Sequence, residues 1–154
     1  MAASFRIRLD IEDHGWASVA VSCGDHSFET DGVSNSTDAL GDMIRAAVDL
    51  LRGADSCRFS FDGEPVETRW VLDRDAPNEV RLRLLQFPHI CRSSAFDPGV
   101  ERFSAVMAAD SFVRAVLREA DRIHFELGEA DYEKRWGTAF PAKELEILRT
   151  ARKA

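Results

Sequence analysis

Residues 36–73, STDALGDMIRAAVDLLRGADSCRFSFDGEPVETRWVLD, change period half-way along. In the first part Leu40, Ile44, Ala47, Val48 and Leu51 recur every three or four residues, the spacing of an amphipathic helix. Ser36 or Thr37 is placed to cap its start, Asp38 suits the positive end of the helix, and Gly53 follows Arg52 where a left-handed stop is wanted. Gly41 costs about 1 kcal/mol relative to alanine inside a helix and marks close packing there. From Cys57 the repeat shortens to two. Cys57, Phe59 and Phe61 alternate with Arg58, Ser60 and Asp62; then Thr68, Trp70 and Leu72 alternate with Glu67, Arg69 and Asp73. These are two half-buried strands. Asp62-Gly63-Glu64-Pro65 joins them with turn residues, so Glu64 belongs at an exposed hairpin tip. A carboxylate there has no apolar wall to raise its pKa and is a poor general acid.

Working outward from this stretch, the N-terminal side reads as a meander. Phe5, Ile7, Leu9 and Ile11 alternate with Arg6, Arg8, Asp10 and Glu12; Ala17, Val19 and Val21 form the inner set of a second strand; residues 26–30 form a short third. Downstream, Val80, Leu82 and Leu84 mark another strand, and residues 100–107 a further one. Helical spacing returns with Val113, Val116, Leu117, Ala120, Ile123 and Leu127, capped by Asp110 or Ser111 and bent or broken at Gly128. Trp136 and Phe140 bracket a break at Gly137, and Pro141 opens a short last helix docked by Leu145 and Leu148. The sum predicts an α+β fold in one domain, 1–154: one curved antiparallel sheet of six or seven strands. One helix is inserted after the third strand, and the C-terminal helices pack on one face.

A chain of 154 residues, 45% hydrophobic and 31% charged, builds a core without disulfides or metal. Cys23, Cys57 and Cys91 are an odd, widely spaced set and read as thiols of a reducing compartment. No run of eighteen apolar residues is present and MAASFRIRLD has no signal-peptide core, so the expected location is the cytoplasm, with no membrane partner. Lysine occurs only at Lys134, Lys143 and Lys153, an arginine bias expected of a GC-rich bacterial genome.

The net charge of −7 is unevenly placed. No Lys or Arg lies between Arg8 and Arg45, while Asp10, Glu12, Asp13, Asp25, Glu29 and Asp31 crowd the strands of that segment. Such a field repels nucleic acid and attracts a basic protein, so these six residues are the expected partner-binding set. The outer face of the sheet would also show Arg6, Arg8, Arg58, Arg69, Arg81 and Arg83, an alternative surface for an anion or small ligand.

Catalytic signals are weak. Cys23 and His26 stand at C-x-x-H spacing and His89 and Cys91 offer a second pair; four such ligands would make a tetrahedral zinc site if their loops met. The irregular stretch at 86–99 is then the place for a metal or enzyme site. HICRSS (89–94) has the look of a phosphatase loop, but the position that needs arginine holds Asp97. Neither G-x-S-x-G, G-x-x-x-x-G-K-[ST] nor G-x-G-x-x-G occurs, so no cofactor is implied. His124, between Ile123 and Phe125, reads as a packed, hydrogen-bonded histidine.

STDALGDMIRAAVDLLRGA, FSFDGEPVETRWVLDR and YEKRWGTAFPAKELEIL together resemble a family of small uncharacterised bacterial α+β proteins, a likeness that implies the fold and carries no catalytic residue. In size and acidic balance the chain is also similar to immunity proteins that neutralise basic toxins, which implies a non-enzymatic interaction protein with a basic partner.

Overall fold

The computed structural model describes residues 4–90 and 98–154. Among these described residues seven strands and three helices follow in the order β1 (Phe5–Ile11), β2 (Trp16–Cys23), β3 (His26–Ser34), α1 (Ala39–Leu51), β4 (Ser56–Asp62), β5 (Glu67–Ala76), β6 (Glu79–Phe87), β7 (Val100–Ala108), α2 (Ala109–Trp136) and α3 (Ala142–Lys153). The α+β class and the position of α1 after the third strand follow the sequence reading. The continuity of the sheet does not. The strands form two antiparallel sheets, β1-β2-β3 and β4-β5-β6-β7, and β3 touches β4 and β7 without pairing to either. Alternation is a property of each strand alone and says nothing about which edges meet. The thirteen residues of α1 stand where a hairpin would have kept β4 in register with β3. At the junction the backbones come close: a Cβ at Gly63 would lie 2.9 Å from the Gly32 carbonyl.

Both sheets turn their apolar side to one buried cluster. Phe5, Ile7 and Leu9 meet Leu72, Leu82 and Leu84 there with Ile44 of α1 and Val116 of α2. Trp70 is fully buried between Phe59 and Phe61, with ring centroids 5.2 and 5.1 Å away. Glu64 is exposed at the hairpin tip, as its turn chemistry predicts. The helix ends differ in detail. Asp38, not Ser36 or Thr37, is the N-cap residue of α1 and makes no side-chain cap; the Thr37 hydroxyl accepts instead from the Asp62 N–H (3.2 Å). What lies over Gly41 is the Asp38 carboxylate rather than the sheet. The C-terminus of α1 does close as read, with Ala54 N–H donating to Asp49 and Gly53 N–H to Leu50, a Schellman pattern. Likewise α2 follows β7 directly with Ala108 as its N-cap, while Asp110 pairs with Arg114 (3.0 Å) rather than capping. Non-helical angles at Gly128 kink α2, and Gly137 ends it.

Two contacts tie the first sheet to α2. Asn35 donates to the Trp136 carbonyl (2.8 Å), Gly15 N–H donates to the Arg135 carbonyl (2.8 Å), and Asn35 N–H donates to Gly15 (2.9 Å). This latch needs glycine at two points, because a Cβ at Gly15 or Gly137 would sit 2.6 or 2.9 Å from Asn35 Nδ2. The second contact is at the edge of β1. Leu9 N–H donates to Glu119 Oε2 (2.6 Å), and Arg122 Nη2 donates to the Leu9 carbonyl (3.0 Å) and to Glu119 (2.6 Å). Glu119 is only 4% exposed. Its hydrogen bond holds the Arg122 guanidinium above the usual arginine range, against the opposing pull of burial.

Removing the carboxylate strands the buried Leu9 N–H and takes from Arg122 one of its two close carboxylates, the other being Glu126 (2.6 Å). Glu119→Ala is expected to cost about 1–3 kcal/mol of stability, read as a lower urea midpoint at unchanged slope. Glu119→Gln, which keeps an acceptor for Leu9, costs less.

Candidate functional site

The free face of the first sheet is built by the residues that alternate with its core set. Because directly opposed residues of antiparallel strands share a face, the register lays them out in rows: Arg6, Ser22 and Ser27 in one, Arg8, Ala20 and Glu29 in the next. Small side chains run down the central strand, arginines down β1 and an acid down β3. The α2 segment around Arg118 stands beside β1, and together they enclose a groove of about 970 Å³ lined by Arg6, Arg8, Ser22, Ser27, Glu29 and Arg118. Farther along the same helix face, seven residues after Arg118, Phe125 is 91% exposed.

The six acidic residues read from sequence do not form one patch. Glu29 lines the groove and Asp31 is exposed farther along β3. Asp10 is engaged by Arg8 (2.8 Å), with Arg122 3.7 Å away. Glu12 and Asp13 are exposed in the β1–β2 turn, while Asp25 is exposed in the β2–β3 turn at the other end of the sheet. The eight residues of β2 separate those two turns, a span of about 27 Å at strand rise.

Nor do the arginines share a surface. Arg6 and Arg8 belong to the first sheet; Arg58, Arg69, Arg81 and Arg83 belong to the second. Three of the latter face carboxylates: Arg69 with Glu67 (2.9 Å), Arg81 with Asp75 (3.4 Å) and Arg83 with Asp73 (3.3 Å). Glu67 is wholly buried and also accepts from the Ser60 hydroxyl (2.5 Å), while the Arg69 guanidinium lies 4.4 Å above the Phe87 ring. These charges hold a sheet face together.

Of the zinc candidates, Cys23 is buried and stands in direct cross-strand register with exposed His26. His89 is exposed just past β6, and Cys91, with most of the HICRSS stretch and Asp97, lies outside the described residues. Among the described residues, no group of three or more His, Cys, Asp and Glu side chains is placed to hold a metal ion. His124 stacks on Phe140 (4.5 Å) and its Nε2 lies 3.0 Å from Glu129, the packed and hydrogen-bonded state its neighbours predict. Tyr132 meets Phe140 edge-on, and burial, followed by the nearby Asp38 charge, keeps its phenol above the ordinary tyrosine range.

No motif in the sequence marks Arg118, Phe125 or the serines of the groove as a site. The serines were readable, since they alternate with the core set. Arg118 and Phe125 were not, because their importance depends on which strand α2 lies beside. Among the described residues no helix is long and apolar enough to cross a membrane.

No family model matches the chain, and no curated protein matches it either. Among solved structures it is similar to the CdiA-CT/CdiI toxin and immunity complex from Enterobacter cloacae, with 11% identity, a TM-score of 0.45, and coverage of 76% of this chain and 99% of that one. So loose a likeness carries no argument about function, which rests on the residues.

Burial, followed by the Asp49 charge, pushes the Cys57 thiol above its usual range. In a Cys23→Ala/Cys91→Ser background, an aromatic disulfide reagent at pH 8 is expected to label Cys57 at least about tenfold more slowly in native protein than in denaturant.

Proposed function

We propose that the chain is a non-enzymatic protein-interaction module of the immunity type, which receives a basic segment of a protein partner on the free face of the three-stranded sheet. The observation that carries this reading is the uncovered face itself. Its central strand presents Ser18, Ala20 and Ser22 to solvent, and exposed Glu29 and Asp31 stand along β3 in a segment without a single Lys or Arg. Small residues let a partner approach the sheet closely, and the acidic column steers a basic one. Asp25, Glu12 and Asp13 extend the same field to the two ends of the sheet. Phe125 supplies what a charged surface lacks, an exposed ring able to fill a partner's pocket.

The test is capture of a partner from the source cell's own lysate on immobilised protein, followed by charge reversal. The expected partner is basic, and its binding weakens with salt. Glu29→Lys/Asp31→Lys is expected to slow association about tenfold or more with little change in the melting temperature. Phe125→Ala is expected to weaken affinity by about 1–2 kcal/mol through faster dissociation. A partner retained equally by the charge-reversed protein removes the acidic column from the interface.

A further inference from the structure

The groove has a second wall whose charge is opposite to that of the molecule. Arg6, Arg8 and Arg118 line it with Glu29 and Glu119. Two of these charges are already spent: Arg8 on Asp10 (2.8 Å), and Glu119 on Arg122 (2.6 Å) and the Leu9 N–H. Arg6 and Arg118 have no ion-pair partner among the described residues, which leaves two guanidinium groups facing one carboxylate, Glu29. The lining thus holds three arginines against two carboxylates in a chain of net charge −7.

Hydrogen-bond donors converge on the same place. Ser22 and Ser27 stand in one cross-strand row with Arg6, each neighbouring strand about 4.8 Å away. The backbone adds another. Leu9 directs its N–H and carbonyl outward to α2, so the amide of Ile7, two residues earlier, leaves the same edge of β1. Ile7 also lines the groove. In the second sheet, by contrast, Arg69, Arg81 and Arg83 are all matched by acids.

We propose that Arg6 and Arg118, with the Ser22 and Ser27 hydroxyls, form an oxyanion-binding site that takes the phosphoryl or carboxylate group of a ligand. Guanidinium groups suit both, since each presents two parallel N–H donors to two oxygens. The groove is larger than one such group, and the body of the ligand lies over Ala20 along the central strand. The site takes the β1 and α2 side of the face, across the central strand from the acidic β3 column offered to a protein partner, and its test needs no such partner.

Thermal unfolding with two probes at matched ionic strength tests it: inorganic phosphate for a phosphoryl source, N-acetylglutamate for a carboxylate source. At least one is expected to raise the melting temperature saturably, as ligands of the native state do. Arg6→Gln/Arg118→Gln, at two exposed positions, is expected to fold normally and to weaken that response at least about tenfold in concentration. Arg81→Gln, on the other sheet, keeps it. Stabilisation that is equal in the double variant is general salt exclusion and overturns the site. So does the lack of response to both probes. Whichever probe saturates names the chemical class of the ligand.

Discussion

The rest of the structure depends on how the open edge of β1 is closed. An edge strand exposes a row of unpaired N–H and carbonyl groups, and here a helix covers part of that row with side chains instead of another strand. Glu119 accepts the Leu9 N–H and Arg122 donates to the Leu9 carbonyl, so the two act as a piece of β-ladder borrowed from α2. The Arg122 guanidinium, shared with exposed Glu126, and the Leu9 N–H are what allow a carboxylate to be almost fully buried there. It also fixes where α2 lies. With the helix held beside β1, Arg118 comes to the lip of the free sheet face, and the groove acquires its wall.

That arrangement divides the surface by charge. The second sheet sets Arg69, Arg83 and Arg81 against Glu67, Asp73 and Asp75. The first sheet leaves arginines on β1 and α2 and acids on β3, with small residues between them. A face of this kind discriminates by charge order as well as by charge sign, because a ligand or partner set down in reverse meets repulsion at both walls.

Much of this is legible in the sequence. Period two placed Phe5, Ile7, Leu82 and Leu84 inside, and period 3.6 placed Leu40, Ile44 and Val116 against them. Turn chemistry put Glu64 at a tip, and Trp136 and Phe140 are buried on either side of the break at Gly137. What sequence did not contain was the relation between elements. The break between the two sheets, the Glu119–Leu9 contact across the whole chain and the placing of Arg118 beside Arg6 all depend on which edges meet. The acidic segment shows the same boundary: its charges were countable, but their division among one strand face and two opposite turns follows from the hairpin geometry.

The strand order also bears on how the chain reaches this state. Each sheet pairs only consecutive strands, so its ladders close short loops. The clamp at Leu9 joins residues 110 positions apart, and the Asn35 latch to Trp136 spans 101. Loop entropy falls mostly on these two closures. The two meanders can therefore zip independently and early, with the docking of α2 across the first sheet as the step that makes the molecule cooperative. The groove, being defined by that docking, exists only once the chain is fully folded.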